Sequence, residues 1–196
     1  MWLHRLLLLE FLLVVDASIP RKIPYLDKFG VPKPQRKFEE YRLSGLQIPS
    51  HYNITLNVNV RGFNNVTESS FDGLVIIDFE NKEEGTTEIE IHSRSLNISE
   101  ASVVNKGNDE IDARVTNVKF NEKKETAILK LDNSINAGVD YKLKIRFNDV
   151  AGMDNQGLYE TMDDELGKVS IVSQGETTYF RQWVPVFDEP AYKVCN

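Results

Sequence analysis

Gln174 and Glu176 are the residues of this chain best suited to holding a ligand. They stand two apart at the end of the run "KVSIVSQ", whose alternation reads as a strand, so their side chains project to one face. A carboxylate beside an amide carbonyl makes a receptor for an ammonium group. The glutamate supplies a charge-assisted bond and the glutamine an oriented acceptor. A plain surface pair on a strand edge uses the same two residues, and that reading stays open.

Other chemistry is scarce. Histidine occurs at His4, His51 and His92 only, and no HExxH or CxxC spacing accompanies them. A metal site needs several convergent ligands, so no metal ligands are assigned, and His51 and His92 read as ordinary surface histidines. The nucleophile elbow GxSxG and the glycine-rich phosphate loops are absent. The acidic run Asp163-Asp164-Glu165 lacks calcium-loop spacing and reads as a solvated loop. In "FDEPAYK", Asp188 is a good N-cap and Pro190 suits a first helical turn. The motif Asp188, Glu189, Pro190 and Ala191 therefore reads as a sharp turn or one helical turn. The bulky residues Tyr179, Phe180, Trp183 and Phe187 pack it against a sheet, which makes this segment scaffold.

The elements that must position these residues are strands. In "HYNITLNVNV", Tyr52, Ile54, Leu56, Val58 and Val60 share one face, and His51, Asn53, Thr55, Asn57 and Asn59 share the other. That is the pattern of a half-buried strand. Alternation recurs in "FDGLVIIDFE", around Ile89 and Ile91, in "IDARVTNVKF", from Ala127 to Leu131, and from Tyr141 to Phe147. Turn signals such as Glu84-Gly85 and Asn136-Ala137-Gly138 separate the runs. Closely spaced strands without a long helical pattern predict an all-β sandwich or an open curved sheet over residues 41–196.

Composition agrees with a globular domain: 196 residues, 41% hydrophobic and 27% charged. A net charge of −7 argues against a nucleic-acid partner, which needs a basic face. The single cysteine, Cys195, has no partner within the chain for a disulfide. Residues 1–17 carry a charge at Arg5 and an apolar run from Leu6 to Val15, and read as a secretory signal peptide cleaved before Ser18. A short hydrophobic helix and an uncleaved leader that anchors the chain to a membrane are the alternatives. Residues 18–40 hold four prolines and six lysines or arginines, and read as an extended basic linker. Sequons at Asn53, Asn65 and Asn97 are candidate glycosylation sites in a secreted, extracellular protein.

The closing stretch carries a family resemblance. "SQGETTYFRQWVPVFDEPAYKV" aligns without gaps on "TQxExTxARxxFPCFDEPAxKA", the hallmark of the aminopeptidase N type of zinc metalloaminopeptidase, a gluzincin family. Glu176, Thr178, Arg181, Pro185, Phe187 and Asp188 to Ala191 keep register. Upstream, "YRLSGLQIPSHYNITLNV", "FDGLVIIDF", "TTEIEIHSRSLNI" and "YKLKIRFNDV…GLY" resemble the family's successive strands in the right order. Val186 stands in place of the usual cysteine, and Gly175 in place of a bulky residue.

The resemblance implies the saddle-shaped, sandwich-like, mostly β N-terminal domain of those enzymes. It implies that Gln174 helps form the pocket for a substrate's first side chain and that Glu176 helps hold the free α-amine. It also implies that zinc, a GxMEN-type loop and HExxH lie in a following domain, with no cofactor in this chain. The expected role is thus that of a non-catalytic domain, C-terminally truncated, whose partners are peptide N-termini. Two other readings are a secreted regulatory module that docks on a full-length aminopeptidase, and a fragment of an active enzyme of peptide catabolism. A sheet left incomplete after Asn196 would also expose a strand edge to self-association.

Overall fold

The computed structural model describes residues 41–63, 65–163 and 167–192. The expected leader (1–17), linker (18–40), two residues of the acidic run (164–165) and Cys195 lie outside the described residues. Among the described residues, nine strands account for nearly all the regular structure. They are β1 (Gln47–Asn59), β2 (Ser70–Asn81), β3 (Thr86–His92), β4 (Asn97–Asn105), β5 (Ile111–Asn121), β6 (Thr126–Ile135), β7 (Asp140–Val150), β8 (Gly157–Asp163) and β9 (Lys168–Gln174). The fold is all-β, and a 3-10 turn, Tyr179–Gln182, follows β9. No described helix is long and apolar enough to cross a membrane.

Seven strands form one antiparallel sheet in the order β1-β2-β7-β4-β5-β6-β3, and β8 and β9 form a separate hairpin. The period-two faces meet across the ladders. Val75 lies opposite Ile145 and Ile77 opposite Leu143, while Ile89 lies opposite Leu129 on the far side of the sheet. All six are fully buried in one core cluster. A flat sheet could not bring the second strand and the last strand into one cluster, so this sheet curls over its own face. Register shifts between Pro49 and His51, Val103 and Val104, and Val115 and Asn117 supply the local bends. Leu158 of the hairpin and Val184, Val186 and Phe187 of the closing segment complete the core.

The half-burial expected of β1 applies to only part of its apolar face. Tyr52 and Leu56 pack against the core, but Ile54 and Val58 remain 38% and 40% exposed. The reason is position: β1 is the last strand on its side, so nothing described covers its outer flank.

Gly73, inside β2, fits because it lacks a side chain. A Cβ there would lie 2.6 Å from the ring of Phe147 and 2.9 Å from the Thr55 carbonyl oxygen. Gly73→Ala should therefore overpack the β1–β2–β7 seam and cost about 2 kcal/mol, seen as a lower urea midpoint with an unchanged m-value. An unchanged midpoint would mean that Phe147 can move aside freely.

Buried polar groups stitch the turns. Asn81 is fully buried, accepts from Gln47 Nε2 at 3.1 Å and donates to the Glu83 and Asn136 carbonyls at 2.6 and 3.1 Å. One side chain thus ties the start of β1, the β2–β3 turn and the β6–β7 turn.

Candidate functional site

The β8–β9 hairpin carries Gln174. Three contacts anchor it to the body. Leu158 is buried in the core, and backbone bonds run from Gly152 N–H to Leu158 O and from Glu160 N–H to Gly152 O. Glu160 also receives Ser69 Oγ at 2.6 Å and Arg61 Nε at 3.1 Å. The hydrogen bond from Arg61, backed by that from Ser69, holds the Glu160 carboxyl below the usual range. The hairpin register sets Gly157 opposite Gln174.

The strand ends at Gln174, and Glu176 falls in the turn that follows. The two side chains are therefore not neighbours on one strand face. Instead the Gln174 Oε1 accepts the backbone N–H of Glu176 at 2.9 Å. A second bond, from Phe180 N–H to Gly175 O at 3.2 Å, closes the turn into the 3-10 segment. Gly175 rests against the Phe180 ring, which packs edge-on against Trp183 with 4.7 Å between centroids. Both Gln174 and Glu176 are exposed. Side-chain locking of the turn is the detail that alternation alone misses. It uses one lone pair of the amide oxygen and leaves the Glu176 carboxylate on a braced loop.

Beside this turn lies a cleft of about 740 Å³. Thr177 and Thr178 line its near side, and His92, Arg181 and Glu189 line its depth, whereas Gln174 and Glu176 do not line it. His92 is not the surface residue expected from sequence. It is 1% exposed, because β3 ends in a bridge to the closing segment, with His92 N–H to Val186 O at 2.8 Å and the reverse bond at 3.0 Å. Its Nδ1 accepts the backbone N–H of Asp188 at 3.0 Å, so the ring is neutral on that nitrogen. Burial, joined by the nearby Arg181 guanidinium and opposed by the pull of Asp188, pushes the imidazole down to about 4.

Asp188 does not cap a helix. Its Oδ2 takes Arg181 Nε at 3.1 Å and Nη2 at 2.7 Å. The residues after it form a turn, closed by Tyr192 N–H to Glu189 O at 2.9 Å, rather than a helical turn. The buried Arg181 needed a carboxylate more than the chain end needed a cap. Glu189 in turn accepts Leu43 N–H at 2.8 Å and faces Arg42 Nη1 at 3.3 Å, tying the start of the described chain to the FDEPA segment. Tyr52 Oη accepts the Phe187 N–H at 3.2 Å, and burial raises its phenol well above the usual range. These are the contacts of a scaffold around a polar cleft.

No zinc site converges among the described residues. No group of three or more His, Cys, Asp or Glu converges among the described residues, and the one buried histidine has Nδ1 committed to Asp188. Of the three sequons, Asn53 and Asn97 lie exposed on strands, and Asn65 sits exposed in the β1–β2 loop with φ of 64°.

Known proteins align with this chain along most of its length. It is 31% identical to the puromycin-sensitive aminopeptidase of Caenorhabditis elegans over 84% of this chain and 16% of the relative. It is 30% identical to aminopeptidase N of Bos taurus over 81% of this chain and 17% of the relative. The membrane alanyl aminopeptidase of Manduca sexta is 27% identical over 83% of this chain and 18% of the relative. The chain therefore spans less than a fifth of each of these proteins. The family profile of the peptidase M1 N-terminal domain matches residues 48–195, which takes in all nine described strands except Gln47 of β1, and the whole turn that carries Glu176. On that match the chain belongs to the peptidase M1 N-terminal domain family.

Proposed function

We propose that this chain contributes recognition rather than bond cleavage to an aminopeptidase. The segment Gln174–Glu176 forms one wall of a pocket for a peptide's N-terminus, with Glu176 receiving the α-ammonium and Gln174 flanking the first side chain. The observation that carries this reading is the turn itself. Glu176 is an exposed carboxylate on a loop fixed by Gln174 Oε1 and by the Phe180–Gly175 bond. A braced carboxylate spends little entropy on binding a cation, and a free α-amine is what distinguishes an aminopeptidase substrate. The relatives it resembles, all aminopeptidases by name, support the same ligand class.

The chemistry of hydrolysis is assigned elsewhere in this reading. Zinc bound in another domain would activate water and polarise the scissile carbonyl. The residues described here bind and orient one end of the peptide and supply no general base.

One wall gives weak binding. A single charge-assisted contact contributes about 1.5–3 kcal/mol, so dissociation constants above about 1 mM are expected. Amide shifts of Gly175, Glu176 and Thr177 should respond in NMR titrations to a tripeptide with a free amine. The acetylated tripeptide should leave them still. Glu176→Ala should weaken the response about tenfold without changing the thermal midpoint. Equal shifts with the acetylated peptide would sink the assignment.

A further inference from the structure

We propose that Asn53 carries an N-linked glycan whose structural task is to guard the free edge of β1 against pairing with a second copy of the chain. The proposal rests on the reading of residues 1–17 as a secretory leader.

The edge needs a guard. β1 is the terminal strand of the seven-stranded sheet and pairs only with β2 among the described residues. Pro49 and the bulge after it mark its first residues, but from Ser50 to Asn59 it contains no lysine, arginine, aspartate, glutamate or proline. Those are the residues that normally stop edge-to-edge pairing. Ile54 and Val58 add partly exposed, β-branched surface at 38% and 40%. A long, uncharged, β-prone strand of this kind is a template for another strand. A second copy of β1 suits it best. Two antiparallel copies around a two-fold axis bring no like charges together along this stretch, even though the chain as a whole carries −7.

Beyond Pro49 and the bulge that follows it, the protective device the sequence offers along this strand is the sequon Asn53-Ile54-Thr55. Asn53 is exposed and lies near the middle of the strand, opposite Ile76 of β2. An incoming strand would lie about 4.8 Å from β1, within the sweep of the first sugars on Asn53. The other two sequons do not cover this edge. Asn97 starts β4, which pairs with both β5 and β7, and donates its amide to Asn148 Oδ1 at 3.1 Å. Asn65 belongs to the β1–β2 loop.

The test is to express the full chain with its own leader in a secretory eukaryotic cell, map glycan occupancy by mass spectrometry, and measure mass in solution by light scattering. Wild type and Thr55→Ser, which keeps the sequon, should be occupied at Asn53 and monomeric. Thr55→Val and Asn53→Gln, which lose only this sequon, should form dimers or larger species at the same concentration. Adding Ile54→Lys to Thr55→Val should restore the monomer, a result that general misfolding would not give. An unoccupied Asn53, including a chain retained unglycosylated inside the cell, overturns the proposal. So does a Thr55→Val protein that stays monomeric.

Discussion

Asp188→Ala is expected to be among the most damaging single changes in this domain. It removes the carboxylate that receives two nitrogens of Arg181, at 3.1 and 2.7 Å. The Arg181 side chain is only 10% exposed, and its other acidic neighbour, Glu125, is 3.6 Å away. A buried guanidinium left short of its partner costs about 3 kcal/mol. In a domain of this size that lowers the thermal midpoint by about 6–12 °C. Asp188→Asn keeps an oxygen acceptor and loses the charge, so it should fall between the two. Arg42→Ala, at an ion pair whose arginine is 54% exposed, should change stability by less than about 1 kcal/mol. Equal midpoints for wild type and Asp188→Ala would show that Glu125 or water can replace the aspartate.

The second large effect is set by pH. An ordinary histidine titrates near 6.5 in an unfolded chain, whereas buried His92 titrates near 4 in the fold. Between those values the unfolded chain takes a proton that the folded chain refuses. Stability from this group is complete above about 6.5 and falls as the pH drops toward 4. Over about 2.5 pH units, at about 1.4 kcal/mol each, the full loss is about 3.5 kcal/mol, of which about 2.5 kcal/mol is reached by pH 4.5. Urea unfolding of wild type and His92→Gln at pH 7, 5.5 and 4.5 isolates it. The wild-type curve should lose stability on acidification by that much more than the variant. Parallel losses would place the proton on another group. The expected sign follows from the geometry as well, because a protonated Nδ1 could no longer accept the Asp188 N–H.

These two residues mark the limit of what the sequence shows. The strands were legible because period-two alternation reports which face is buried, as from Phe71 to Phe79 and from Tyr141 to Phe147. Strand order was not legible, because alternation looks the same on an edge as in the middle. That is why Ile54 and Val58 are more exposed than their pattern implied. The buried polar residues were hidden for a related reason. Asn81, His92 and Glu160 find their partners across the fold, at Asn136, Asp188 and Arg61, and nothing adjacent to them in the chain announces it. The sharp turn read at Asp188 to Ala191 is present, but the cap role of Asp188 is not, because a tertiary ion pair with Arg181 prevailed over a local helix cap. The candidate site was half legible. Gln174 and Glu176 stood out by type and spacing, but strand alternation could not foresee that Gln174 would turn back to hold the Glu176 backbone.

This arrangement also gives the FDEPA segment a physical meaning. Asp188 neutralises Arg181, Glu189 ties down Leu43 and Arg42, and Phe187 fills the core. Together they fix the 3-10 turn, and so the loop from which Glu176 projects. In the proposed reading, scaffold and recognition are adjacent parts of one short stretch.

The most direct test of the account joins turnover and metal content in one preparation. The purified chain is dialysed with zinc, repurified, assayed with a panel of aminoacyl chromogenic substrates, and analysed for bound metal. The account predicts no turnover and less than one zinc per chain. Stoichiometric zinc together with turnover that Glu176→Ala abolishes would contradict it, and would mean that these residues build a hydrolytic centre of their own.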